Sequence, residues 1–147
     1  MCATCLIRPI WVAFLSSVLV PPAFAGPNAG GVLMLHAHPT LQYTTPGTDY
    51  CGESGVLRYS DAQTMVEGQE PHILFVLAAF ETYASDPRVL GVTCGISYDA
   101  SRLALLDYGT CGDFELSTPD WPASRSGTAV TFSIVKTSSI FEVYWFA

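Results

Sequence analysis

The sequence predicts an all-β protein, a single antiparallel β-sandwich domain of the jelly-roll or immunoglobulin-like kind. Short apolar stretches alternate with polar or small residues at the two-residue period of a strand. Clusters of Gly, Pro, Ser and Asp separate these stretches, and no stretch sustains the 3.6-residue period of a helix. Many short strands with regular turn signals are typical of sandwiches and barrels, and no repeat or long linker divides the chain.

The first 25 residues predict a cleaved signal peptide. Arg8 precedes an apolar run over residues 10–20, Pro21-Pro22 interrupts it, and the end at Ala25 fits the small-residue pattern cut by signal peptidase. The run is shorter than the roughly 20 residues of a spanning helix. We therefore expect a secreted domain over residues 26–147, located outside the cell, at its surface or in a periplasm.

The charge of this domain restricts its partners. Removal of Arg8 leaves five basic residues against thirteen acidic ones, a net charge of −8. Such a domain repels phosphate backbones and anionic lipid surfaces. We expect no nucleic-acid partner, and no membrane association after cleavage.

The elements of the first half are read from apolar runs and their breakers. The run at 32–38 predicts a first strand, which Pro39 either ends or marks as an edge. Residues 72–80 (HILFVLAAF) have the length and composition of a buried strand. Between them the pattern predicts short extended pieces at 41–43 and 56–59 and a polar surface loop at 60–71.

In the second half, the stretch 91–116 has the outline of a β-hairpin. Residues 88–98 alternate, with Val92, Cys94, Ile96 and Tyr98 on one face, and turn-forming residues at 99–102 precede an apolar return over 103–108. The further predicted elements are a Pro-rich loop at 117–127, a strand at 128–135 with Val130, Phe132 and Ile134 aligned, and a last strand at 140–147.

Three cysteines remain after the predicted cleavage. Cys51, Cys94 and Cys111 allow three pairings, each leaving one thiol, and the sequence does not select among them. Outside the cytosol a structural disulfide is the favoured interpretation. A nucleophilic cysteine needs an electropositive setting, which this acidic chain offers little of.

Metal binding is an alternative at two places. His36 and His38 lie on one face of the first strand, at a spacing that suits Zn²⁺ or Cu²⁺, and His72 could be a third ligand. The alternative is that this face of the strand simply meets solvent. Asp113 and Glu115 could bind Ca²⁺ together with Asp99 or Asp107. Ordinary solvated carboxylates are the favoured interpretation of these acids, and we expect no cofactor.

Aromatic residues are the candidates for a binding platform. Trp121 lies in the Pro-rich loop, where we expect it to be exposed, and Tyr144 and Phe146 share one face of the last strand. The alternative places one or both faces of that strand in the core, which we favour for Trp145.

Two resemblances involve these stretches. Tyr98-Asp99 followed by Leu103 resembles the Y-D-x-x-x-L signature of cohesin-type modules, which implies a jelly-roll sandwich related to some carbohydrate-binding modules. The blocks CGDFEL, DWPAS, GTAVTF and EVYWFA are similar to those of a family of small secreted bacterial proteins. The second resemblance implies no particular activity, and implies that such chains continue beyond Ala147.

Together these features predict a non-catalytic domain that acts in binding or extracellular assembly. Strand edges and exposed aromatics would make the protein contacts, either with another protein or with a further copy. The alternatives are a carbohydrate-binding module that uses Trp121, and a small metal-binding protein or enzyme built on His36, His38 and His72.

Overall fold

A computed structural model describes residues 26–66, 70–81 and 86–147. It confirms the predicted all-β class, because two antiparallel sheets pack against each other and the described residues contain no α-helix. A short 3₁₀ turn at Tyr59–Asp61 is the one helical element among them. The strands are β1 (Val32–Gln42), β2 (His72–Ala79), β3 (Val89–Ile96), β4 (Tyr108–Thr110), β5 (Phe114–Ser117), β6 (Ser126–Lys136) and β7 (Ile140–Phe146).

The seven strands of the described ranges divide into a four-stranded and a three-stranded sheet. The four-stranded sheet has the order β1-β2-β7-β4, and the three-stranded sheet has the order β3-β6-β5. The pairing of β2 with β7 shifts register between Val76 and Leu77, so that Val143 is an extra residue on β7. Such a bulge bends its strand and increases the local twist.

The main core fills the space between the two sheets. Val130 and Phe132 of β6 pack against Tyr144 and Phe146 of β7, and Trp121 closes one end of this cluster. Tyr144 and Val130 are completely buried. Alternation along β6, and along β7 on either side of the bulge at Val143, explains this core, because every second side chain there points toward the opposite sheet.

A second core covers the other face of the four-stranded sheet. Phe75, Leu77 and Trp145 point to that face, where Tyr50 and Val56 of the loop at 43–63 cover them. The rings of Tyr50 and Trp145 meet edge to face with their centroids 4.9 Å apart. Both faces of β7 are therefore buried, as we favoured for Trp145.

The predicted hairpin at 91–116 is wrong. Residues 103–107 form no strand, and β4 pairs with β7 instead of with β3, which belongs to the other sheet. Residues 99–102 do form a turn, in which Leu103 donates its backbone N–H to the carbonyl of Asp99. The chain uses this turn to cross from one sheet to the other.

Two smaller expectations are also wrong. Residues 56–59 form no strand but lead into the 3₁₀ turn. Ile134 is not aligned with Val130 and Phe132 in the core but is 77% exposed. The pairing of β3 with β6 is irregular at this point, with Val89 opposite Lys136 and Gly91 opposite Thr131, which breaks the alternation.

The predicted signal peptide lies outside the described residues. Within the described ranges, no helix has the length and apolar character needed to cross a membrane.

Candidate functional site

The structure confirms a disulfide and selects its pair, Cys51 with Cys111. Cys51 lies in the loop that covers the second core, and Cys111 directly follows β4. The carboxylate of Glu142 on β7 holds the same loop, since it accepts the backbone N–H groups of Gly52 and of Ser54, the latter at 2.8 Å. The disulfide and Glu142 together fix the loop onto the four-stranded sheet.

Cys94 is the free cysteine of the described residues. It lies half-buried on the inner side of β3, and burial, followed by the charge of Glu115, raises the pKa of its thiol. A raised pKa lowers the thiolate fraction, and the thiolate is the reactive form. The surroundings of Cys94 are those of a packed side chain.

The three histidines do not form a joint ligand set. His36 is buried against Phe75, with Nδ1 accepting the N–H of Gln63 at 3.0 Å, so the expectation that its face meets solvent is wrong. Nδ1 of His38 accepts the backbone N–H of Leu41 at 2.7 Å. Among the described residues, the group of potential ligands close enough to share an ion is Cys51, Cys111 and Glu142, and its two sulfurs are bonded to each other.

The acidic side chains considered for calcium each have a local hydrogen-bonding role. Asp99 accepts the N–H and hydroxyl of Ser101 within its turn, and these bonds lower the pKa of Asp99. Asp113 accepts the N–H of Ser133, Glu115 accepts the hydroxyl of Thr128, and Asp107 accepts the N–H groups of Gly47 and Tyr108. Each of the four carboxylates therefore accepts hydrogen bonds from a different set of donors, and they do not converge on one place.

The expected aromatic platform is not exposed. Trp121 is 8% exposed, Tyr144 0% and Phe146 3%, so these rings belong to the main core. The rest of the loop at 118–125 is exposed or half-buried, but the side chain of Trp121 lies in the core, where its indole N–H donates to the hydroxyl of Tyr144 at 2.8 Å. A hydrogen-bond partner inside the core explains how a tryptophan from a Pro-rich loop is buried.

The outer face of the three-stranded sheet carries large apolar side chains that no other described segment covers. Phe114 and Leu116 on β5 are 61% and 69% exposed there. Phe114 lies beside Thr131 and Leu116 beside Ala129 on β6, and these two lie beside Gly91 and Thr93 on β3. We call this set the outer face; it comprises Gly91, Thr93, Gly95, Phe114, Leu116, Gly127, Ala129 and Thr131 and contains no charged side chain.

The free edge of β3 borders this outer face. β3 pairs only with β6 among the described strands, and its eight residues include no charged residue and no proline. Charged residues and prolines are the features that proteins usually place on an edge strand to prevent further strand pairing, and β3 has neither. The other edges are protected or short.

The other three edges, those of β1, β4 and β5, differ from the edge of β3. On β1, the N–H of Ala37 is taken by the carbonyl of Gln63 at 2.7 Å, and Pro39 lies within the strand. β4 has three residues, and β5 has four with Glu115 among them. The edge of β3 is therefore the one best suited to accept a further strand.

Comparisons with models of protein families, with curated proteins and with solved structures gave no significant match. The resemblances to cohesin-type modules and to small secreted bacterial proteins stay predictions.

Sequence reasoning did not identify Phe114, Leu116 or Glu142 as functional or structural anchors. The alternation of Phe114, Glu115 and Leu116 would have signalled a strand with two large apolar residues on one face. It could not signal that this face stays uncovered, because coverage depends on residues far away in the chain.

Proposed function

We propose that this chain is an exported, non-catalytic module that binds proteins in extracellular or cell-surface assembly. The contact surface is the outer face together with the free edge of β3. The observation that carries the proposal is the continuity of the two. An eight-residue edge with no further strand beside it among the described residues borders an uncharged sheet face on which Phe114 and Leu116 are exposed. Single exposed apolar residues are common, whereas a flat apolar face beside an open edge is typical of binding by strand addition.

Export is supported by the signal-peptide pattern of residues 1–25 and by the disulfide between Cys51 and Cys111. Disulfides persist in oxidising compartments. The non-catalytic part is supported by the raised pKa of the Cys94 thiol and by the separate hydrogen bonds of His36 and His38. Burial of Trp121 removes the main support for carbohydrate binding through that residue.

The test uses the full chain, expressed for export in a host that forms disulfides and then immobilised. It is exposed to the secreted and surface proteins of its own source organism, and retained proteins are identified by mass spectrometry. Three forms are compared: the wild type, the double variant Phe114→Ser/Leu116→Ser and the control Met65→Ser. Met65 is also highly exposed but lies outside both sheets.

We expect a defined partner on the wild type and on the Met65 control, and its loss from the Phe114/Leu116 variant. Truncation of central apolar contacts typically removes 1–3 kcal/mol of binding free energy per residue, or about tenfold in affinity for each 1.4 kcal/mol. The same retained proteins on all three forms, or none on any, would contradict the proposal. A measured mass of the exported protein equal to that of a chain beginning at Gly26 would confirm the expected cleavage after Ala25.

A further inference from the structure

We propose that the partner at the free edge of β3 is a second copy of this chain, bound through a two-fold symmetric pair of antiparallel β3 strands. This inference rests on the proposed function and names its partner. Closed two-fold dimers are the commonest oligomers, and their interface must be complementary to itself. The residues of β3 meet that requirement in three respects: side-chain size, polarity and terminal charge.

Size and polarity fit when the two-fold axis passes at Thr93. In that register Gly91 of each copy lies opposite Gly95 of the other, and the two Thr93 residues face each other. These three residues are exposed on the outer face, and none carries a bulky or charged side chain. Threonines directly opposite on antiparallel strands form a favourable pair, whereas like charges in that position are unfavourable.

On the inner side of the sheet the same register places Val92 opposite Cys94. Val92 and Cys94 are half-buried, and Val92 packs against the rim of the main core. Pairing would remove their remaining exposed area, and that of Leu90 at 56% exposure, from water. Burial of apolar surface stabilises association by roughly 25 cal/mol per Å² before the loss of translational and rotational freedom is subtracted.

The terminal charges favour the antiparallel direction. Arg88 precedes β3 and is exposed. The side chain of Asn28 binds both its backbone N–H and its backbone carbonyl, so it is the guanidinium of Arg88, and not its backbone, that is placed to meet a partner strand. Asp99 follows β3 and is also exposed. The register centred on Thr93 places Arg88 of one copy within one residue of Asp99 of the other, twice in the dimer. An exposed pair of this kind contributes at most about 1 kcal/mol, but it selects direction and register.

The product is a continuous six-stranded sheet of order β5-β6-β3-β3-β6-β5. Its outer face is twice as wide and uncharged throughout the two sets of outer-face residues, with Phe114 and Leu116 near both margins. The net charge of each copy opposes association, but charges more than about 8 Å apart are largely screened at physiological ionic strength. The acidic groups nearest in sequence to β3, Asp86 and Asp99, lie beyond its ends.

The experiment measures the molar mass of the exported full chain by light scattering during size-exclusion chromatography over a concentration series. All forms carry Cys94→Ala, so that no disulfide between copies can imitate an interface. Thr93→Lys places two ammonium groups opposite each other at the axis. Thr131→Lys is the matched control, because Thr131 is also exposed on the outer face but lies on the central strand β6.

We expect a monomer–dimer equilibrium for the parent and for Thr131→Lys. For Thr93→Lys we expect dissociation to be at least about tenfold easier, since like charges face each other across the strands. Arg88→Glu should weaken the dimer less, by a few-fold, because it replaces an attraction at each end by a repulsion. Circular dichroism of each variant establishes that it is folded.

A parent that is monomeric at every concentration would overturn the inference. A dimer that Thr93→Lys leaves intact would also overturn it. The same holds for a dimer that Thr131→Lys disrupts as strongly as Thr93→Lys does, because such a dimer uses the sheet face instead of the edge of β3. These failures differ from failure of the proposed function. A monomer that still retains a protein through Phe114 and Leu116 refutes only the self-pairing, whereas loss of that retention refutes the binding function as well.

Discussion

Replacing both Cys51 and Cys111 by Ala should lower the free energy of unfolding by about 4 kcal/mol. The disulfide joins residues 60 positions apart. In the chain-entropy description, closing a loop of this length removes about 14 cal/mol/K from the unfolded chain, which is about 4 kcal/mol at 25 °C. With a urea m-value of about 2 kcal/mol/M, the unfolding midpoint of the double variant should fall by about 2 M.

The assay is equilibrium unfolding in urea, followed by tryptophan fluorescence and circular dichroism in parallel. Cys94→Ala is the control, and it should cost about 1 kcal/mol or less, because Cys94 is half-buried and forms no disulfide. If Cys94→Ala destabilised the protein as much as the double variant, or if peptide mapping found Cys94 in the disulfide, the assigned pairing would be refuted.

Glu142 provides a second measurement on the same loop. Glu142→Gln weakens the bonds from the N–H groups of Gly52 and Ser54, which lie beside Cys51. Hydrogen bonds to a charged group contribute about 1.5–3 kcal/mol each when buried, and less for this half-buried carboxylate. Because the disulfide and Glu142 hold one loop, their effects should not add, and a double-mutant cycle should give a coupling of at least about 0.5 kcal/mol.

Two further predictions concern buried polar groups. Tyr144→Phe leaves the indole N–H of Trp121 buried without its acceptor, and it should lower the free energy of unfolding in urea by about 1–3 kcal/mol. The control Tyr108→Phe changes an exposed ring and should lower it by less than about 1 kcal/mol. Equal effects of the two changes would contradict the hydrogen bond between Trp121 and Tyr144. Burial, followed by the nearby His38, lowers the pKa of His36 below its ordinary 6.5. The unfolded chain therefore binds more protons at this site, so stability from His36 is full above pH 6.5 and is lost as the pH falls from 6.5 through the lowered pKa. The urea midpoint should drop between pH 7 and pH 5. The drop should be smallest in His36→Phe and only partly reduced in His38→Gln, which removes the second cause and keeps the burial. An undiminished drop in His36→Phe would exclude His36 as its source.

The sequence predicted the fold class and five of the strands because those depend on local pattern. An apolar run, alternating or continuous, is visible in each of them without knowledge of any neighbour: β1, β2, β3, β6 and β7. The opposite burial of Tyr144 and Trp145 on the two faces of β7 follows from the same two-residue period.

The incorrect predictions depend on contacts far apart in the chain. Residues 99–102 turn as expected, but the three-residue strand β4 pairs with β7 more than thirty residues later, and no local pattern specifies that choice. Trp121 was expected to be exposed because Pro-rich loops usually lie on the surface. Its burial depends on the hydroxyl of Tyr144, which comes from another strand. The position of Ile134 depends on a register irregularity that the pattern alone does not show.

The difference in coverage between the two sheets is the strongest argument for where partners bind. The four-stranded sheet has the three-stranded sheet on one face and the loop at 43–63 on the other, held there by the disulfide and by Glu142. In the described part of the chain, no comparable segment covers the outer face of the three-stranded sheet. Reduction of the disulfide should loosen the loop and expose Phe75 and Trp145, which would add a second apolar surface. Association of the oxidised protein that depends on Thr93, and additional association after reduction that does not, would therefore separate the specific edge from a newly exposed core.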